Sequence, residues 1–290
     1  MAWQQLIARV PRDKVAEVES LLELSGAASI ALEDAADTPL FEPLPGETPL
    51  WRSVSVKALF EEGVDADGIR AVLRGVLGEG GDVRVEPLAD ADLSCAPLAP
   101  MRIGGKLWIV SADDAAPDDD GALLRLNRGL AFGTGEHPTT SLCLDWLAAS
   151  LGPGTVVLDY GCGSGILALA ALRLGAVRAF AVDNDPQAIA AAEANAALNG
   201  LADKIWVGPP DALPAVRADV VLANILARPL TELATLFHAR LVTGGRAILS
   251  GVLAAQRAEI ERAYAAGFEI EGVAERDGWL RLDARKRLPV

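Results

Sequence analysis

The stretch 156–165 constrains the fold of this chain more than any other part of its sequence. It reads VVLDYGCGSG: a short apolar run ends in Asp159, and glycines then follow at positions 161, 163 and 165. The next stretch, Ile166 to Leu174, is apolar-rich and reads as a buried helix. Glycines are needed where a strand turns sharply into a helix and the backbone must lie against a ligand. The pattern therefore predicts a buried strand, a ligand-contacting turn and a helix.

A second acidic signal follows the next apolar run, where Val182 leads into Asp183-Asn184-Asp185. An acid at this point can accept hydrogen bonds from both ribose hydroxyls of an adenosine. The NAD fingerprint Gly-x-Gly-x-x-Gly does not fit, because position 166 is isoleucine and the third glycine comes one residue early. The turn resembles instead the nucleoside-binding corner of methyltransferases that use S-adenosylmethionine. We therefore predict that Asp159, Gly161, Gly163 and Asp183 bind this cofactor, and a nicotinamide dehydrogenase is disfavoured.

The order of apolar patterns predicts two domains. Residues 1–88 read strand–helix–strand twice, which is typical of a small ferredoxin-like α+β domain, and we interpret this domain as a substrate-recognition module. Residues 89–122, rich in Ala, Pro and Asp, are predicted to be a linker with one strand-like segment. Residues 123–290 alternate strands and helices and end in two strands around Asp277-Gly278, a favoured hairpin turn. This pattern predicts an α/β, doubly wound (Rossmann-like) sheet with a C-terminal antiparallel hairpin.

Charge and cysteine usage narrow the function classes. Forty Asp and Glu against 26 Lys and Arg give a net charge of −14, which disfavours direct binding of nucleic acid or anionic lipid and suits a basic partner. No apolar run is long enough for a membrane span, and the first ten residues lack a signal-peptide pattern. Three scattered cysteines and two histidines fit a reducing compartment and no metal site. We therefore expect a cytoplasmic, monomeric protein without a metal.

The segment 129–140, GLAFGTGEHPTT, precedes a predicted helix and has two interpretations. It is either an N-capping loop, with Thr139 or Thr140 as the cap, or a loop that folds over the cofactor. In the second case Phe132 offers an apolar face and Thr140 a hydroxyl. His137 is a candidate general base, because a methyl-acceptor amine must lose its proton before it reacts, but a histidine before proline also often bonds the backbone. Glu136 either accepts a hydrogen bond from an amine or is simply exposed.

Asn224 follows the predicted strand 218–222 and is the second catalytic candidate. Its side-chain oxygen can accept a hydrogen bond from the acceptor amine and so direct the lone pair towards the methyl group. Asparagine is also common in turns that end strands. The apolar neighbours and Pro229 favour the wall of a pocket over a mere turn. Cys162 lacks a histidine at a recognisable spacing and is interpreted as a small filler.

Several longer motifs resemble the methyltransferases of bacterial ribosomal protein L11. They are GLAFGTGEHPTTSLCLDWL, VLDYGCGSGILALAALRLGA, VDNDPQAI, ADVVLANILARPLTELA and LSGVLAAQ, and they cover about residues 123–260. The resemblance implies an enzyme that methylates lysine side chains and an α-amino group of this basic large-subunit protein. It also implies that Thr140, Gly161, Asp183 and Asn224 contact S-adenosylmethionine. The chain departs from the family pattern at Glu136 and in residues 90–100, which lack the usual tryptophans.

Two other functions stay open at this point. The chain is alternatively a methyltransferase for another protein lysine or a small molecule, or a non-catalytic protein that keeps the cofactor fold as a scaffold. The sequence does not say which amines are modified or how often.

Overall fold

The structure, a computed structural model, divides the chain into two compact units, Met1–Ala96 and Pro97–Val290. It describes residues 3–35, 51–61, 63–78, 82–88, 100–115, 117–127 and 137–288. None of the helices within these ranges is both long and apolar enough to cross a bilayer.

The first unit is a four-stranded antiparallel sheet with two helices. Its elements, in chain order, are β1 (Trp3–Pro11), α1 (Val15–Leu24), β2 (Ser29–Asp34), β3 (Ser53–Glu61), α2 (Ala66–Leu77) and β4 (Val83–Leu88). The strands lie in the order β2-β3-β1-β4. Strand β3 alternates buried and half-buried residues along its length, because one face of the sheet packs on the helices. Val15, Val18 and Leu22 supply the buried stripe of α1 at helical spacing.

The second unit is built on a seven-stranded, mostly parallel sheet in the order β10-β9-β8-β11-β12-β14-β13. The strands are β8 (Val156–Tyr160), β9 (Arg178–Val182), β10 (Ile205–Gly208), β11 (Ala218–Asn224), β12 (Leu241–Leu253), β13 (Phe268–Arg276) and β14 (Trp279–Lys286). Strands β8 to β12 run parallel, whereas β14 pairs antiparallel with both β12 and β13. Asp277 and Gly278, which join β13 to β14, both have positive φ angles, as a tight hairpin turn requires.

Helices cover both faces of this sheet, which confirms the predicted α/β class with a mostly parallel central sheet. The helices are α3 (Pro138–Ser150), α4 (Ile166–Arg173), α5 (Pro186–Leu198), α6 (Ala227–Arg240) and α7 (Arg257–Tyr264). Helices α3, α4 and α5 bury their apolar residues in one core, and α6 and α7 bury theirs in a second core across the sheet. Strand residues alternate between the two cores: Val157 and Leu222 face the first, and Leu158 and Val221 the second.

A small three-stranded sheet belongs to the second unit and changes the description of the predicted linker. Strands β5 (Met101–Ile103) and β6 (Leu107–Ser111) fall inside the range 89–122 that the sequence suggested as a linker, and β7 (Ala122–Leu126) follows. Ile103, Leu107 and Ile109 are buried in the core that also contains α3 and α4. Strand β6 matches the strand-like segment predicted at 106–110, whereas the three-residue strand β5 is too short to leave a pattern in the sequence.

Asn195 of α5 and Asn199, directly after this helix, are buried and bind the end of β7, and Asn195 also binds the glycine turn. The Asn195 amide accepts a hydrogen bond from Asn127 N at 2.8 Å and donates one to Ser164 O at 2.9 Å. One turn later, Asn199 accepts from Arg125 N at 2.9 Å and donates to Arg125 O at 2.7 Å. A side-chain amide carries both a donor and an acceptor, so it can bond backbone N–H and C=O groups at the end of β7 as a neighbouring strand would. The residues just before the segment 128–136 are therefore anchored to the turn after β8.

We expect the substitution Asn195→Ala to lower the free energy of unfolding by about 2 kcal/mol, because it leaves the carbonyl of the buried Ser164 and the N–H of Asn127 without these partners. Differential scanning calorimetry of the full chain measures the effect as a lower melting temperature. Glu193→Ala, at an exposed position of the same helix, is the matched control and should change little. Equal stability of the two variants would contradict the role given to Asn195.

Candidate functional site

A cavity of the second unit opens at the carboxyl ends of β8, β9 and β11. Strand β8 lies between β9 and β11, so the chain order reverses here, and ligands of open α/β sheets bind at such a reversal. The cavity has a volume of about 360 Å³. It brings together five residues predicted from the sequence, Thr140, Gly161, Gly163, Asp183 and Asn224. Its other lining residues are Tyr160, Cys162, Ile166, Leu167, Val182, Asn184, Pro210, Ile225, Leu226, Pro229 and Leu233.

The glycine turn lets the end of β11 approach the end of β8. Gly161 has a φ of 81°, and a β-carbon there would collide with Ile225 Cγ2. On the other side of Ile225, a β-carbon at Gly251 (φ 84°) would collide with the Ile225 carbonyl oxygen. Ile225 is therefore held between two glycines, and its neighbour Asn224 is fixed at the rim of the cavity.

Asp183 braces the turn from the end of β9. Its Oδ2 accepts a hydrogen bond from Gly163 N at 2.9 Å, and its Oδ1 accepts one from Asp185 N at 3.0 Å. Asp185 in turn caps α5, because its side chain accepts from Gln187 N at 2.8 Å. The Asp183 carboxylate is half-buried and lines the cavity, so its remaining acceptor positions face any ligand bound there.

Asp159 lies beneath the turn and does not line the cavity. It is 1% exposed, and its Oδ2 accepts a hydrogen bond from Ala168 N at 3.0 Å, which fixes the first turn of α4. Its Oδ1 is buried without a hydrogen-bond partner. Burial, and to a lesser degree the charge of Asp183, raises the pKa of Asp159 to about 7, although the bond from Ala168 N–H opposes the shift. The predicted direct contact with a cofactor is therefore replaced by support of the turn, because the strand period points this side chain into the core.

A hydrogen bond joins Thr140 to Asn224 across the cavity. Asn224 Nδ2 donates to Thr140 Oγ1 at 3.1 Å. Thr140 is 1% exposed and lies in the first turn of α3, so this bond links the helix to the end of β11. This bond uses Nδ2 of Asn224 and fixes the orientation of its side-chain amide. The carbonyl oxygen Oδ1 is left to accept a hydrogen bond from another group.

His137 is the N-cap of α3. Its Nδ1 lies 2.7 Å from Thr139 Oγ1 and accepts a hydrogen bond from Thr139 N at 3.3 Å. Its ring packs edge-on against Trp279, with centroids 5.1 Å apart. Burial lowers the pKa of His137, which favours the neutral imidazole that this cap requires. The sequence suggested Thr139 or Thr140 as the cap and His137 as a base; the structure gives the cap to His137, which is not among the residues that line the cavity.

Three candidates from the sequence remain: Phe132, Glu136 and Cys162. Phe132 and Glu136 lie outside the described residues. Cys162 lines the cavity but is buried, and burial together with Asp159 and Asp183 raises the pKa of its thiol well above the usual range. A protonated thiol agrees with its interpretation as a small filler.

Residues missed by the sequence interpretation lie where strand order brings them. Pro210 and Leu233 line the cavity from the loop after β10 and from α6. The end of β10 lies beside the end of β9 in the sheet. Pro210 therefore becomes a candidate only once the order of the strands is known. Asn184, directly after Asp183, was recognisable from its position alone.

We expect Asp159→Asn to stabilise the protein at pH 8 and to stabilise it less at pH 5. The pKa of Asp159 is raised in the folded state from 3.8 to about 7, so its contribution to stability is complete below about pH 4 and is lost as the pH rises through 7. The amide cannot ionise and does not incur this loss. Melting temperatures of both proteins from pH 5 to pH 8 measure the effect, and parallel curves would contradict it.

The chain is similar to known proteins over nearly its whole length. The family model for ribosomal protein L11 methyltransferase (PrmA) matches residues 2–287. A ribosomal protein L11 methyltransferase of Methylococcus capsulatus is 47% identical over 98% of this chain and 99% of its own length. One of Escherichia coli is 44% identical over 99% of this chain and 100% of its own.

A solved structure gives the same relationship in three dimensions. The ribosomal protein L11 methylase of Lactobacillus delbrueckii subsp. bulgaricus is 33% identical, with a TM-score of 0.58, and the match covers 65% of this chain and 99% of that one. The central sheet is thus the mixed α/β fold of a methyltransferase. The chain belongs to the ribosomal protein L11 methyltransferase family.

Proposed function

We propose that this protein transfers methyl groups from S-adenosylmethionine to lysine side chains and an α-amino group of ribosomal protein L11. One observation carries the proposal: at the reversal point of the sheet, a half-buried carboxylate, a glycine turn and the Thr140–Asn224 pair line the same cavity. Family membership over residues 2–287 supports the acceptor. The protein is thus an S-adenosylmethionine-dependent protein N-methyltransferase.

The polar groups of the cavity suit the cofactor. Asp183 would accept hydrogen bonds from the ribose hydroxyls, since it lies at the end of β9 and already faces the cavity. Gly161 and Gly163 present backbone without side chains, so the methionine end of the cofactor can approach the main chain. The buried, unpartnered oxygen of Asp159 adds negative potential beneath this turn, which favours a cationic ligand. When bound, S-adenosylmethionine supplies an already activated methyl group.

Because the cofactor supplies the activated methyl group, the residues of the site need only position the acceptor amine and exclude water. The acceptor amine must be neutral, because only then does its nitrogen carry a lone pair. Asn224 would accept a hydrogen bond from this amine through its carbonyl oxygen, while its Nδ2 is held by Thr140 Oγ1. Ile225, Leu226 and Pro229 form an apolar wall beside Asn224, which favours the uncharged amine. His137, as a helix cap, would act indirectly by fixing the turn that carries Thr140.

The N-terminal unit is proposed to be a ferredoxin-like module that recognises the substrate protein. Its repeated strand–helix–strand order and the strand order β2-β3-β1-β4 support this assignment. The charge is uneven along the chain: residues 1–96 contain 18 Asp and Glu against 8 Lys and Arg, a net charge of −10, which leaves −4 for residues 97–290. A basic ribosomal protein fits this acidic unit, whereas direct binding of nucleic acid does not. A cytoplasmic, monomeric enzyme is part of the same proposal.

The acceptor is tested with purified L11 and cofactor carrying an isotopically labelled methyl group. We expect methyl mass on lysines and on the α-amino group, located by mass spectrometry of the digested protein. Label on another protein of a cell extract but not on L11 would indicate the alternative, a methyltransferase with a different acceptor. No turnover with any protein, together with tight cofactor binding, would indicate a non-catalytic scaffold.

We expect Asp183→Ala to weaken binding of S-adenosylmethionine by at least about 100-fold, because two hydrogen bonds to a charged acceptor are lost. Isothermal titration calorimetry measures the dissociation constant. Asp203→Ala removes an exposed carboxylate of the same unit and should leave the affinity unchanged. Retained affinity in Asp183→Ala would remove Asp183 from the site.

We expect the charge reversals Glu17→Lys and Glu23→Lys, made together, to raise KM for L11 by about 10-fold at low salt. Both side chains are exposed on α1 of the acidic unit. The effect should shrink at 0.5 M salt, where the screening length is about 4 Å. Glu193→Lys with Glu259→Lys, exposed in the second unit, is the matched control. Equal KM values for the two double variants would contradict recognition through the N-terminal unit.

A further inference from the structure

Three polar residues form one row across the central sheet, beside the cavity. Asn224 at the end of β11 lies opposite Ser250 of β12, and Ser250 lies opposite Arg281 of β14. Residues directly opposite one another in a sheet project from the same face. This is the face that α3 covers, because Ile248 and Leu222, two residues before Ser250 and Asn224, are buried in the same core as the apolar side of α3.

Each member of this polar row contacts the first turns of α3. Asn224 Nδ2 donates to Thr140 Oγ1 at 3.1 Å. Ser250 Oγ lies 3.3 Å from Thr139 O and 2.9 Å from Leu280 O, so its proton is shared between the helix and β14. Arg281 Nη1 donates to Leu142 O at 2.7 Å. The helix segment 139–142 is thus held at three points by three neighbouring strands.

Two members of this polar row, Ser250 and Arg281, are buried away from the cavity. Ser250 is 0% exposed and the Arg281 side chain only 13%, and neither residue lines the cavity. Asp283 binds the guanidinium of Arg281 through two hydrogen bonds, at 2.7 and 3.1 Å, which neutralises its charge and fixes its orientation. Buried polar groups contribute little to stability compared with apolar residues of similar volume. Their benefit here is geometric, because they fix where the first turn of α3 lies.

Resting on the proposed function, we propose that Ser250 and Arg281 are positioning residues that hold Thr140 in register with Asn224. Neither would touch cofactor or acceptor. They act through the carbonyl groups of Thr139 and Leu142, which flank Thr140 in the helix. A shift of the helix turn would move Thr140 Oγ1 away from Asn224 Nδ2 and release the amide that faces the cavity. Misplacement of a reacting group by about 1 Å is enough to cost about 100-fold in rate.

A double-mutant cycle between Ser250→Ala and Thr140→Val tests this proposal. We expect Ser250→Ala alone to lower kcat with L11 by about 10-fold and to weaken binding of S-adenosylhomocysteine by about 3-fold, both through Thr140. In the Thr140→Val background, which already lacks the hydroxyl, the same substitution should change either quantity by less than about 2-fold. Effects that multiply in the double variant would overturn the proposal, because Ser250 would then act independently of Thr140.

Arg281→Gln is the second variant, and Arg285→Gln is its matched control. Arg285 lies on the same strand and pairs with Glu271 at an exposed position. We expect a lower kcat for Arg281→Gln with the KM for L11 unchanged, and normal kinetics for Arg285→Gln. Equal kinetics in these two variants would overturn the role of Arg281, and a raised KM alone would indicate substrate binding instead.

The cycle separates this proposal from the proposed function. Wild-type turnover on L11 tests the function by itself. The affinity for S-adenosylhomocysteine does not require L11, so the coupling between Ser250 and Thr140 is measured even if another protein is the acceptor. Melting temperatures of all variants show whether the kinetic changes follow stability, and loss of activity in proportion to loss of stability would overturn a positioning role.

Discussion

The rest of the site depends on the close packing of Ile225 between Gly161 and Gly251. A side chain on either glycine would collide with Ile225, so the ends of β8, β11 and β12 reach this spacing only with bare backbone on both sides. Protein interiors are packed too densely to absorb an extra carbon at such a contact. The packing places Asn224 at the rim of the cavity and keeps the cavity open towards β9. One steric constraint thus determines the position of both walls.

The two carboxylates of the turn show how position decides chemical role. Asp159 and Asp183 end adjacent strands of the sheet, yet one faces the core and the other the cavity. Asp159 supports α4 and has its pKa raised by burial. Asp183 braces Gly163 and keeps acceptor positions for a ligand. The charge of Asp183 also raises the pKa of Asp159, because two neighbouring carboxylates disfavour each other's ionised form.

The antiparallel pair β13–β14 extends the sheet on the side of α3 and anchors this helix. Arg281 contacts the helix backbone, Arg276 binds Asp145 at 3.0 Å, and Trp279 packs on His137. Helix α3 carries Thr140 into the site, so the last strands of the chain contribute to a cavity whose walls they do not form. The anchoring of α3 uses none of the residues of the glycine turn.

The sequence alone determined those features of the protein that depend on residues close together in the chain. The repeated strand–helix patterns predicted the class of the sheet. The glycines and polar residues at the ends of apolar runs pointed to four site residues, Gly161, Gly163, Asp183 and Asn224. Such signals can be read from the sequence because they lie within a few residues of one another. Only the tertiary structure decided that Asp159 faces the core, that His137 caps α3, that β5 to β7 join in one small sheet and that Ser250 and Arg281 lie in one row with Asn224. These outcomes depend on strand order and register, which bring together residues far apart in the chain and leave no periodic signal in it.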